Sequence, residues 1–205
     1  MSVRFTNLTP IRPLLIALFL TLPLLATAEW RSAGTLAVPN FSYSFLAATP
    51  SGDLLATTYH ADSVDAPARE MPALLIRNPT SAQPEVVPLC RVPFPGQRGY
   101  SGIACDANGN FYVSGDTGKA STSFVRKFRP DGTPDASFAN NGVLRTGHRC
   151  LGIDLLGRFL LVAVDWGEIF VYDFRSGRMI NRIQAPSSPR PYVRDITVDP
   201  KSLRI

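Results

Sequence analysis

Beyond about residue 40 the apolar positions of this chain come in short runs bounded by Gly, Pro, Asn and Asp, and no stretch keeps a helical apolar stripe for three turns. Three segments share one layout: Phe45–Thr57, Gly102–Ser114 and Leu151–Ala163. Each is a small apolar strand, a tight turn containing a glycine (Gly52, Gly109 or Gly157) and a second apolar strand. Asp106 and Asp154 stand three places before their glycines, and Thr49 holds that place in the first copy. Such a side chain is expected to accept the turn's backbone N–H groups, while glycine takes the positive φ that closes a hairpin.

A fourth copy begins at Arg194-Asp-Ile-Thr-Val-Asp-Pro-Lys-Ser202, with Asp199 and Ser202 in the Asp and Gly places. The turn positions are 57, 48 and 45 residues apart, and four strands in 40–50 residues is the spacing of propeller blades. In the third unit the predicted strands are Cys150–Asp154, Arg158–Val164, Glu168–Phe174 and Met179–Ile183. In the second, a strand over Phe124–Phe128 precedes a long turn over residues 129–142, and the first carries an insertion over residues 59–72. The expected fold is therefore all-β, a β-propeller of four-stranded antiparallel blades. The blades fall at about 41–90, 98–146 and 148–185, with a further one starting over 192–205.

The residues of the second unit carry a resemblance. Gly102-Ile-Ala-Cys-Asp-Ala-Asn-Gly-Asn-Phe-Tyr-Val-Ser-Gly-Asp116, followed by Val125-Arg-Lys-Phe-Arg-Pro-Asp-Gly132, resembles an NHL-type propeller repeat. Asp131-Gly-Thr-Pro-Asp-Ala-Ser-Phe138 with Asn141-Gly142 is similar to the delta-60 repeat of bacterial proteins. The resemblance implies a propeller of usually six blades and brings no catalytic residue with it. Three units and the start of a fourth do not close such a ring. The expectation is that the chain is the N-terminal part of a longer protein or a truncated gene product, with completion by a partner chain as the other reading.

The N-terminus changes the picture of composition. Arg4 and Arg12 precede an apolar run from Leu14 to Leu25, and Ala26-Thr27-Ala28 offers a small-x-small cleavage pattern before Glu29. Residues 1–28 are read as a secretory signal peptide rather than a membrane anchor, which would need about 20 uninterrupted apolar residues. The expected location is secreted or periplasmic, with a domain over 29–205. Cleavage would lower the net charge from +5 to +3, and the remaining Lys and Arg are scattered, which argues against a nucleic-acid partner. Three cysteines allow one internal bridge at most. Cys105 and Cys150 are read as small core residues, and a Cys90–Cys105 disulfide is the alternative.

Motifs for chemistry are few. The chain has two histidines, and no H-E-x-x-H, G-x-S-x-G, Walker or G-x-G-x-x-G pattern occurs. Asp106-Ala-Asn108-Gly-Asn110 begins like an EF-hand loop, but Phe111 replaces the required Gly and no Glu follows at the twelfth place, so turn capping is the expected role. Asn40-Phe-Ser42 is a glycosylation sequon, relevant in a eukaryotic host.

Blade topology sorts the loops. The connection into a first strand and the loop between the second and third strands emerge at one end of a blade. That end collects Tyr59, His60, Arg98, Tyr100, Asp116, Lys119, His148, Arg149, Asp165, Trp166, Tyr192, Arg194 and Asp195. The leading expectation is a binding module that uses this loop face to hold a protein, peptide or carbohydrate, without a cofactor. The alternative, implied by likeness to gluconolactonase-type propellers, is a calcium-dependent lactonase with Asp116, Asp165 and Asp195 as metal candidates. A third reading is a fragment with no independent function.

Overall fold

The computed structural model describes residues 43–58, 73–90, 99–116, 123–184, 193 and 196–198. The expected insertion at 59–72 and the leader lie outside them. All described residues belong to the unit Leu36–Ile205. They form twelve strands: β1 (Tyr43–Ala48), β2 (Leu54–Thr58), β3 (Ala73–Arg77), β4 (Glu85–Cys90), β5 (Gly99–Cys105), β6 (Phe111–Asp116), β7 (Phe124–Phe128), β8 (Val143–Arg145), β9 (Cys150–Leu156), β10 (Phe159–Val164), β11 (Glu168–Asp173) and β12 (Met179–Gln184). They make three four-stranded sheets, β1-β2-β3-β4, β5-β6-β7-β8 and β9-β10-β11-β12, with antiparallel neighbours throughout.

The sheets pack face to face in chain order. Strand β5 lies against β1 and β2, and β9 lies against β5 and β6. Successive four-stranded meanders stacked through their first strands are the blades of a β-propeller.

Strand periodicity explains why the second strand of each blade reads as a near-continuous apolar run. Alternate side chains point to opposite faces, and in a blade both faces are buried. Phe111 and Val113 of β6 enter the core shared with the first sheet, alongside Leu55, Ala73 and Ile103. Tyr112, between them, enters the core shared with the third sheet, where Leu160, Val162 and Phe170 meet it. Likewise Leu161 and Ala163 of β10 turn to the outer face of the third sheet and pack on Ile196 and Val198.

The first two hairpins close as expected. Gly52 N–H donates to the Thr49 carbonyl and Gly109 N–H to the Asp106 carbonyl, each at 3.0 Å. Both glycines have positive φ, 88° and 81°. Asp106 Oδ1 accepts from the backbone N–H of Asn108 and Asn110 at 2.9 and 3.0 Å. Thr49 Oγ1 accepts from Asp53 N–H at 3.0 Å in the same way.

The third hairpin corrects the sequence reading. Leu156 pairs with Phe159, so only Gly157 and Arg158 turn, and Asp154 sits inside β9 opposite Leu161. Its carboxylate does not cap that turn. Oδ1 accepts from Leu155 N–H at 2.7 Å, and Oδ2 accepts from Val198 N–H at 2.7 Å. Two residues removed from the turn shift the side chain from the turn's N–H groups to the next chain segment.

The long turn of the second blade is built from two successive Asp caps. Asp131 Oδ1 accepts from Thr133 N–H and Oγ1 at 2.9 and 2.7 Å, and Asp135 Oδ1 accepts from Ser137 N–H and Oγ at 3.1 and 2.6 Å. Between them these caps deliver Phe138 edge-on to buried Tyr112, with ring centroids 5.6 Å apart. Asp135 also pairs with Lys127 at 2.9 Å, and both side chains are largely buried.

No disulfide joins Cys90 to Cys105. Cys90 packs in the core between the first two sheets, and Cys105 packs against it. The Cys105 Sγ turns back to the carbonyl of Asp106 at 3.5 Å. Burial, with the charge of Asp106, pushes its thiol up to about 11. Cys150 is a fully buried core residue, as read from the sequence.

Candidate functional site

At the loop end of the third sheet two short segments meet. Residues 146–149 lead into β9, and Asp165-Trp166-Gly167 joins β10 to β11. The first segment is tied to the second sheet, because Thr146 N–H and Oγ1 both donate to the carbonyl of Ser123, just before β7, at 3.3 and 3.2 Å. Thr146 Oγ1 also lies 2.7 Å from the His148 carbonyl. The second segment is tied to the first: Asp165 N–H donates to the Arg149 carbonyl at 3.1 Å.

These anchors bring the two side-chain groups together. His148 Nδ1 stands 3.4 Å from Asp165 Oδ1, within ion-pair distance but without hydrogen-bond alignment, so this buried carboxylate oxygen has no hydrogen-bond partner. The His148 ring meets Phe170 edge to face, with centroids 5.1 Å apart. Arg149 is exposed. Trp166 is 65% exposed, and its φ is +79°.

Beneath this pair lies a charged group that sequence reading passed over. Glu168 is buried at the start of β11 and forms an ion pair with Arg182 of β12. The Arg182 guanidinium lies over the Phe170 ring, 5.6 Å from its centroid. The signal was present: Glu168 shares the strand parity of Phe170 and Tyr172, whose side chains face the core, so alternation places an acid where an apolar residue is expected.

The remaining expected site residues divide in two. Tyr100 and Asp116 belong to the paired ends of β5 and β6, where Tyr100 is opposite Gly115 and Gly99 opposite Asp116. Tyr59, His60, Arg98, Lys119, Tyr192, Arg194 and Asp195 lie outside the described residues. Of the metal candidates Asp116, Asp165 and Asp195, Asp165 is the one whose side chain is described, and it faces His148. Among the described residues no three His, Cys, Asp or Glu side chains are grouped to hold a metal.

No protein-family model matches the sequence, and no curated protein does. Solved structures do resemble it in shape. A protein of unknown function from Bacteroides caccae gives a TM-score of 0.49 at 13% identity, over 82% of this chain and 53% of that one. Myxococcus xanthus glutaminyl cyclase gives 0.47 at 13% identity, over 72% and 52%. U3-55K gives 0.49 at 11% identity, over 73% and 41%. This chain spans about half the length of the first two. The propeller-like assignment rests on the sheets and their stacking.

Proposed function

We propose that this chain is an exported, secreted or periplasmic, propeller-type binding module of NHL-like repeats, the second blade carrying a delta-60-type turn. Its ligand contacts come from the loop face. One observation carries this reading: three segments from two neighbouring blades, at Ser123, 146–149 and 165–167, are tied together at one end by backbone and side-chain hydrogen bonds. Loops fixed to a rigid sheet scaffold present side chains with little ordering left to do on binding. The set offered here is mixed: an exposed indole, a guanidinium, an imidazole and a partly exposed carboxylate. The partner class is a protein, a peptide or a carbohydrate.

The test is a screen of the full chain against a displayed peptide library and a glycan array, repeated with Arg149→Ala and Trp166→Ala. Retained ligands should be lost in both variants, while the melting temperature moves by no more than about 4 °C, the change expected of a surface substitution. Ligands that bind both variants as well as the parent would place the binding surface elsewhere.

A further inference from the structure

The tight turn between β10 and β11 takes positive φ at residues 166 and 167, where Asn or Gly is the favoured residue, yet Trp166 fills the first of these places. It is a bulky residue in the left-handed region, at φ +79°, followed by Gly167 at +75°. That conformation disfavours any side chain with a Cβ, and a ring of this size is rare there. Yet the indole is not buried in return, being 65% exposed. The loop around it is over-determined: Val164 pairs with Glu168 across its base, and Asp165 is bonded to Arg149. Strain that persists in a well-anchored loop and delivers an exposed aromatic ring points to a ligand.

From this we infer that Trp166 is a stacking platform for a pyranose ring, with Asp165, His148 and Arg149 serving the sugar's rim. The inference rests on the loop-face reading above and names its ligand class. A pyranose presents C–H groups on its face and hydroxyls around its edge. A flat indole takes the face. Each hydroxyl is both donor and acceptor, so the rim needs groups of both kinds close to the platform. The Asp165 carboxylate, its side chain 23% exposed, supplies the acceptor, its buried Oδ1 lying 3.4 Å from the His148 imidazole, and the exposed Arg149 is a donor of fixed charge one residue along. Among the described residues, Asp165 and Arg149 bring opposite charges to this end, so the described rim carries no single sign of charge, which suits an uncharged sugar.

The full chain has two tryptophans, Trp30 and Trp166, so Trp30→Phe leaves Trp166 as the remaining reporter. This protein is titrated with chitotetraose, cellotetraose and maltotetraose while indole emission is followed, and the parent is applied to an array of neutral glycans. One of these sugars should shift the emission saturably. Trp166→Phe should keep part of the binding, and Trp166→Asn should weaken it at least about tenfold, as for an aromatic hot spot. Trp166→Asn should also melt no lower than the parent, because Asn tolerates positive φ, so loss of binding cannot be put down to unfolding. The sugar assignment is overturned if no glycan is retained better by the parent than by Trp166→Asn, or if sugar binding leaves Trp166 emission unchanged. If peptides still bind in an Arg149- and Trp166-dependent manner in that case, the loop-face reading stands and the sugar alone is wrong.

Discussion

At the scale of single residues, short Asp and Ser/Thr caps do most of the local work. Asp135 shows how one carboxylate serves two purposes. The Ser137 hydroxyl bonded to it, and then the Lys127 ammonium, lower its pKa from 3.8 to about 2. A carboxyl depressed in the folded state stabilises the fold above its ordinary pKa and loses that contribution as pH falls from about 4 to about 2. The melting temperature should therefore fall across that window, and Asp135→Asn should flatten the acid limb. Asp135→Ala should cost about 3 kcal/mol in denaturant unfolding at neutral pH, because it leaves Lys127 largely buried without its counter-charge. At this scale the sequence was a good guide where the hydrogen bond is local, as at Asp106. It failed at Asp154, whose two-residue turn could be told from the five-residue loops of the other copies only by the strand register.

At the scale of the element, the blades are held apart or together by what fits between them. A Cβ on Gly132, which has φ +84°, would lie 2.1 Å from the carbonyl oxygen of Leu89 on the preceding sheet. Gly52 has a similar φ of +88° but nothing within 4 Å of such a Cβ. Gly52→Ala should therefore cost the backbone penalty alone, about 1 kcal/mol, while Gly132→Ala should cost at least about twice that by prying the first sheet from the second. Equal losses in chemical unfolding would show that the blades yield freely at this contact. The parity of β6 and β10, with one apolar set facing each neighbouring sheet, was legible as strand but not as two-sided burial. A continuous apolar run is compatible with either, and only the presence of a sheet on each face decides.

At the scale of the whole molecule, Val193, Ile196 and Val198 lie on the outer face of the third sheet, where they join Leu161, Ala163 and Val171. Asp154 registers them there through Val198 N–H. A charge-assisted hydrogen bond of this kind contributes about 1.5–3 kcal/mol, so Asp154→Ala should speed amide exchange at Val198 by roughly tenfold or more. Unchanged exchange would mean that apolar contact alone seats these residues.

The sequence by itself determined the elements that local chemistry specifies: the short strands, the turn glycines, the hairpins capped by Thr49 and Asp106 and the four-strand period that makes an all-β, blade-built chain. It also nominated Trp166, His148, Arg149 and Asp165, because alternating strand direction sends those loops to one end. The tertiary structure decided what depends on neighbours distant in sequence. Asp154 serves the next segment rather than its own turn. Cys90 and Cys105 pack as thiols. Glu168 is buried against Arg182, and Trp166 is exposed in a strained loop. The reason is that a turn or a strand is set by residues a few places apart. Burial, ion pairing and a side chain's final exposure are set by which sheets come to lie against each other.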